Sequence, residues 1–146
     1  MRRFTLLLPM LALIAAHQAC AVGVQTVEIS GITVTLEIAQ TPEEQRQGLM
    51  YRTALPKNHG MLFIFEPPRQ VAMWMKNTRM DIDAAFFDAC GKLLNIQTMK
   101  EGTLDLHHSF GNAATVVEMA GGWFAQNDIR SGITVPALVQ TKYCRK

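Results

Sequence analysis

Arg52, Lys76, Asn77, Asp83 and Glu118 are charged or amide side chains set inside otherwise apolar stretches of a 146-residue chain. A purely structural core would use hydrocarbon at such positions, because a buried charge is costly unless it is paired. Residue type alone supports two readings. In the first, Arg52 and Lys76 grip an anionic or polyhydroxylated ligand in a cleft and Asn77 orients it. Trp74 then offers a ring on which a sugar stacks, and Asp83 or Glu118 accepts hydrogen bonds or a proton. In the second, Arg52 pairs with Asp83 or Glu118 inside the fold, Lys76 runs its stem along apolar surface to water, and Trp74 belongs to the core.

Asp83 and Glu118 are also the candidate catalytic residues, the acid and base of a hydrolase, on the condition that one cleft holds them about 5 to 10 Å apart. Asp81 stands on the far side of Ile82 from Asp83, and on an extended strand the two carboxylates share a face. No activated nucleophile accompanies these groups. The sequence contains no Gly-x-Ser-x-Gly, no phosphate-binding Gly-rich loop and no His-Glu-x-x-His. It leaves catalysis open and favours a non-catalytic domain that binds a small polar or saccharide-like ligand or a partner protein.

Seven methionines lie beyond residue 21 (Met50, Met61, Met73, Met75, Met80, Met99 and Met119) and raise a third reading, copper handling. Thioethers are soft ligands, and alternation puts Met73 and Met75 on one strand face; methionine also fills irregular cores. His59, His107 and His108 fall in loop-like segments, and no Cys/His pair has zinc-finger spacing, so neither a metal nor another cofactor is expected. Gly121-Gly122 reads as a turn, with exposed backbone N–H groups for an anion at a helix start as the alternative.

The elements that must position these residues are mostly strands. Val24 to Ala39 alternates apolar and polar residues on both sides of Ser30-Gly31, the pattern of a hairpin. Thr41-Pro42-Glu43-Glu44 supplies a cap, a first-turn proline and first-turn acids for a short helix that runs to about Gln47 and stops at Gly48. Met61 to Phe65 is a continuous apolar strand ended by Pro67-Pro68. Val71 to Thr78 alternates in two stripes, as a strand does. Ile82 to Phe87 and Lys92 to Thr98 flank a turn, Thr115 to Met119 is a further strand, Trp123 to Asn127 a helical turn, and Ile133 to Val139 a last strand interrupted by Pro136. Many short strands and little helix predict a mainly β fold, a compact antiparallel β-barrel or sandwich with one or two short helices.

The N-terminus predicts export. Arg2 and Arg3 precede the apolar run Phe4 to Ala16, which is short of the about 20 residues that span a bilayer. Ala19-Cys20-Ala21 then forms a small-x-small cleavage pattern. Residues 1–21 read as a cleavable signal peptide and residues 22–146 as one domain, periplasmic or secreted, with no transmembrane span. Lipidation of Cys20, leaving a membrane-tethered lipoprotein, is the alternative, although His17 stands where such signals usually carry Leu. Cleavage removes two arginines and leaves twelve basic against twelve acidic side chains. A formal charge of zero argues against nucleic acid as a partner, which is held through excess positive charge. Cys90 and Cys144 remain as an even pair where disulfides are permitted, either bridged or as two unrelated thiols.

Gly48-Leu49-Met50-Tyr51-Arg52, Gly60-Met61-Leu62-Phe63, Trp74-Met75-Lys76-Asn77-Thr78 with Asp83, and Glu118 ahead of Gly121-Gly122 follow one another in an order and spacing that resembles the domain of unknown function 192 family. The resemblance covers about residues 26 to 140. It implies a mainly β single domain, often behind a signal peptide, with no agreed biochemical activity. One departure stands out: family members commonly carry Pro-Leu-Asp where this chain reads Asp81-Ile82-Asp83, so Asp83 matches the family aspartate and Asp81 replaces the proline.

Overall fold

A computed structural model describes residues 23–145. The signal-peptide and Cys20 readings fall on residues outside that range. The chain opens with β1 (Val24–Ile29) and β2 (Ile32–Ala39), an antiparallel hairpin in register from Val24 opposite Glu37 to Ile29 opposite Ile32. Ser30 and Gly31 both take positive φ, 50° and 81°, as a two-residue hairpin turn requires. Alternation buries Val27, Ile29, Val34 and Leu36.

α1 (Pro42–Gln47) begins in a complete capping box. The Glu44 N–H donates to Thr41 Oγ1 at 3.2 Å, and the Thr41 N–H donates back to Glu44 Oε2 at 2.9 Å. Gly48 ends it at φ 46°, and the next residue, Leu49, turns into the core.

β3 (His59–Arg69) is longer than its apolar run and passes through Pro67-Pro68, which were expected to stop it. Its pairing is interrupted between Ile64 and Arg69, so the prolines occupy the stretch where no ladder N–H is needed. β4 (Ala72–Met73) is far shorter than the strand read from Val71 to Thr78. The alternation there is real, but the chain turns after Met75, with Thr78 N–H donating to Met75 O at 3.1 Å and Asn77 in the left-handed region at φ 58°.

β5 (Ile82–Phe87) and β6 (Leu93–Met99) form the expected hairpin, and after β7 (His107–His108) comes β8 (Ala113–Ala120). α2 (Trp123–Gln126) is the expected helical turn. Ile133 to Val139 is not a strand: Pro136–Leu138 forms a 3-10 turn, and the only ladder contact is one bridge between Thr134 and Lys92. Pro136 cannot donate to a ladder, and this is where the pairing stops.

The main sheet has the order β1-β2-β3-β8-β5-β6, and β4 pairs with β7 apart from it. The fold is mainly β as expected, but the sheet is open rather than closed into a barrel, and its β2–β3 pair is parallel. Both faces are covered. One packs Leu62, Ala85, Phe87 and Val117 under Trp123, Phe124, Val135 and Leu138. The other packs Phe63, Ile82, Phe86 and Val116 under Leu49, Val71 and Met75. A disulfide joins Cys90, in the β5–β6 turn, to Cys144, with a Cα separation of 4.8 Å, and ties down the C-terminal segment. No helix among the described residues is long and apolar enough to cross a membrane.

Candidate functional site

β8 is the strand on which the site rests. Its register sets Glu118 opposite Met61 of β3 and Ala84 of β5. Cross-strand partners share a face, so Glu118 points to the same side as Phe63, Ile82 and Phe86. The residue is 5 % exposed and has apolar neighbours on its own strand. Among the described residues no side chain or backbone group hydrogen-bonds its carboxyl, and burial pushes that carboxyl up to about 8. Near neutral pH it is a protonated acid, able both to donate and to accept a hydrogen bond.

Two segments fold over this face and leave an opening above Glu118. The first is the end of α1 and the turn after it. Gly48 passes over the Phe63 ring closely enough that a Cβ there would lie 3.2 Å from Phe63 Cζ. Gln45 fastens the helix to β3 by donating from Nε2 to Ile64 O at 2.6 Å. The second segment is the turn after β4. It is latched to the first: Tyr51 N–H donates to Asn77 O at 2.7 Å, Arg79 N–H to Arg52 O at 3.3 Å, and Asn77 Nδ2 to the Tyr51 hydroxyl at 3.2 Å. The opening is a narrow cleft of about 30 Å³, room for a water molecule or two at its floor. Glu118, Phe63 and Ile82 lie against it from the sheet, and Gln45, Gly48, Met73, Trp74, Lys76 and Thr78 line it from the two segments. Trp74 is 42 % exposed, which makes it a rim side chain rather than core, and Lys76 Nζ sits 5.4 Å from its ring centroid.

The structure brings Trp74, Lys76 and Glu118 to one cleft and places the other candidates elsewhere. Arg52 does not pair with Asp83 or Glu118. It forms a bidentate ion pair with Glu37, at 2.6 and 2.7 Å, which raises the guanidinium's pKa and lowers that of Glu37. Asn77 spends its amide on Tyr51 and its left-handed backbone on the turn, so it shapes the rim. Asp83 lies opposite Met119, one position out of step with Glu118, and therefore faces the other side of the sheet. There it accepts from Thr98 Oγ1 at 2.8 Å and from Phe124 N–H, the start of α2, at 3.4 Å. The acid and base pair of a hydrolase is thus not assembled from Asp83 and Glu118. Asp81 does not share Asp83's surroundings either: it binds Lys100 Nζ at 2.5 Å and the Glu101 N–H at 3.0 Å, which lower its pKa.

Met73 and Met75 do line the cleft, joined by Met50, but not as a stripe on one strand, since β4 ends at Met73. Met75 is almost fully buried. Among the described residues there is no cluster of three or more His, Cys, Asp or Glu that could hold a metal. The α2 terminus after Gly121-Gly122 already faces the Asp83 carboxylate. Sequence reasoning missed Gln45, Gly48 and Thr78 as cleft residues. Gly48 and Thr78 sit inside quoted motifs, but Gln45 carries no signal beyond being helical.

Fold and cleft together define a mainly β protein in which two turns cover a buried carboxyl that is unpaired among the described residues. The chain belongs to the domain of unknown function 192 family, an uncharacterised ACR group, whose profile matches residues 25–137. It is similar to the crystal structure of a protein from Sinorhizobium meliloti described as a candidate transcription regulator, with 34 % identity, a TM-score of 0.68, and coverage of 75 % of this chain and 87 % of that one. It is also similar to a protein of unknown function from Novosphingobium aromaticivorans, with 29 % identity, a TM-score of 0.73, and coverage of 83 % and 90 %. No curated protein matches it.

Proposed function

We propose that this is an exported, non-catalytic binding domain that takes a hydroxyl group of a small polyhydroxylated ligand, saccharide-like in its chemistry, into the cleft over Glu118, with the rest of the ligand lying outside against Trp74. The observation that carries the reading is the Glu118 carboxyl itself, nearly buried, unpartnered among the described residues and facing an opening. A carboxyl in that state has no protein partner to displace, and a ligand hydroxyl supplies both a donor and an acceptor to it. Thr78 and Gln45 add polar lining, and the free face of Trp74 suits a sugar ring. A lone acid without a second carboxylate or a nucleophile in the same cleft supports binding over hydrolysis.

Export rests on the leader-like residues 1–21, and the Cys90–Cys144 disulfide supports an oxidising compartment. DNA binding, suggested by the description of the Sinorhizobium relative, finds little support. α1 has six residues and α2 four, short for a helix that reads a major groove. A soft-metal reading retains one favourable observation, the convergence of Met50, Met73 and Met75 on the cleft.

A thermal-shift screen of the purified protein against monosaccharides, sugar acids, nucleosides and Cu(I) tests the proposal. A sugar should raise Tm, and Glu118→Leu should abolish that shift while Glu118→Gln keeps most of it. A sugar shift that survives Glu118→Leu, or a shift with Cu(I) alone that Met73→Leu with Met75→Leu removes, overturns it.

A further inference from the structure

The cleft over Glu118 is not a closed pit. It shares Gln45, Arg46, Phe63, Met73 and Trp74 with a second depression of about 440 Å³, and that one shares Pro42, Gln45, Phe65 and Arg69 with a third of about 380 Å³. With these residues in common, the three depressions lie in a row along β3 from Phe63 to Arg69 and are read as one groove. Because β3 bulges between Ile64 and Arg69, the partner strand advances only from Val116 to Ala113 over this stretch, so the groove is about 10 Å long, enough for more than one sugar unit.

The charges along this groove are of one sign over most of its course. Lys76 stands at the Glu118 end, Arg46 in the middle and Arg69 at the far end, where Glu66 is the one anionic lining residue. Two of the cations are held by rings instead of carboxylates: Lys76 lies 5.4 Å from the Trp74 centroid and Arg69 5.0 Å from that of Phe65. Neither forms a salt bridge among the described residues, so each keeps its charge uncancelled beside its ring. Arg46 has only a 3.9 Å contact with Glu43, between side chains 69 % and 76 % exposed, which leaves its charge available as well.

We propose that the groove binds a short acidic oligosaccharide, with one terminal unit at the mouth of the Glu118 cleft and carboxylates along the chain meeting Lys76, Arg46 and Arg69. The inference rests on the saccharide-binding reading above and adds chain length and charge to it. An extended acidic peptide would satisfy the same cations. The amide and hydroxyl lining of the terminal cleft, and its acid that offers both a donor and an acceptor, match the hydroxyl-rich end of a sugar chain better than a peptide terminus.

The test is calorimetric titration of the purified protein with galacturonic acid, its trimer and its hexamer. Maltohexaose and hexaglutamate serve as neutral and peptide controls. Affinity for galacturonate should rise at least tenfold from monomer to hexamer and fall steeply with added salt. Arg69→Ala, which lies outside the Glu118 cleft, should erase most of the gain with length while leaving monomer binding unchanged. Equal affinity for monomer and hexamer overturns the proposal, as does maltohexaose or hexaglutamate binding as tightly as the galacturonate hexamer. The two readings fail separately. If Glu118→Leu abolishes sugar binding but length brings no gain, only the groove falls. If hexamer binding is tight and indifferent to Glu118→Leu, the terminal cleft falls with the saccharide-binding reading.

Discussion

Asp83 and Glu118 stand on adjacent, paired strands yet point to opposite faces of the sheet, because Asp83 is in register with Met119 and Glu118 with Ala84. One residue of register separates an acid that joins two elements from an acid that faces a cleft. Asp83 holds the Thr98 hydroxyl and the first turn of α2. Asp83→Ala leaves both donors unpaired in a buried setting and should lower unfolding free energy by about 2 kcal/mol. Urea denaturation measures that loss, and a sugar-induced Tm shift of normal size in the same variant verifies that Asp83 acts on the other face.

Arg52 is predicted to matter for stability and not for binding. Its fork grips Glu37 with both side chains about one-third exposed, so Arg52→Ala should cost about 1 kcal/mol, and Arg52→Lys should recover only part because it cannot make the bidentate contact. The Glu37 carboxyl is held below its ordinary 4.5, chiefly by the hydrogen bond from Arg52. The pair therefore stabilises the fold at pH values above 4.5 and loses that contribution as pH falls through the lowered pKa. Denaturation curves of the wild type and Arg52→Ala should converge on acidification.

Gly60 is required by the approach of β3 to β8. A Cβ there would collide with the backbone oxygen of Glu118 and lie 2.5 Å from Met119 Sδ. The backbone contact has no flexible end that can move aside, so Gly60→Ala should cost at least about 3 kcal/mol or prevent folding. Since the collision is with Glu118 itself, any folded fraction should also show weakened sugar binding. A soluble variant with wild-type Tm counts against this packing.

Much of the frame was legible because it depends on local rules. Alternation on both sides of Ser30-Gly31 located the first hairpin, and Thr41 with Glu44 located the helix start. The failures share one physical cause, pairing decided at a distance. Val71 to Thr78 has the alternation of a strand, but its only partner is the two-residue β7, and the latch from Tyr51 and Arg52 holds the rest as a turn. Ile133 to Val139 likewise finds a partner at a single bridge. For the site, three of the residues singled out in the sequence, Glu118, Lys76 and Trp74, do lie along one cleft. Which face each side chain takes was not legible, since that depends on register across strands far apart in sequence.

The disulfide should matter through the unfolded chain. It closes a loop between positions 54 residues apart, and the chain-entropy relation puts the stabilisation at up to about 4 kcal/mol. Neither cysteine lines the cleft. Reduction, or Cys90→Ala with Cys144→Ala, should lower Tm while leaving the dissociation constant of a bound sugar within about twofold. A large change in affinity on reduction would mean that the C-terminal segment reaches the site.

Glu118 gives the clearest dependence on pH. Burial pushes its carboxyl from an ordinary 4.5 up to about 8, so the folded protein keeps a proton that the unfolded chain releases in between. Stability from this group is complete below 4.5 and declines as pH rises, until the folded-state carboxyl also ionises near 8. Glu118→Gln is never charged and escapes that decline. The variant should match the wild type at acidic pH and exceed it at pH 9, by at most about 5 kcal/mol. Binding gives the complementary signature. A sugar that needs the protonated acid should lose affinity in the wild type above about pH 8, whereas Glu118→Gln, which still offers a donor and an acceptor, should bind with a flat profile. Parallel pH profiles for the two proteins would mean that the Glu118 carboxyl is ionised in the cleft at neutral pH.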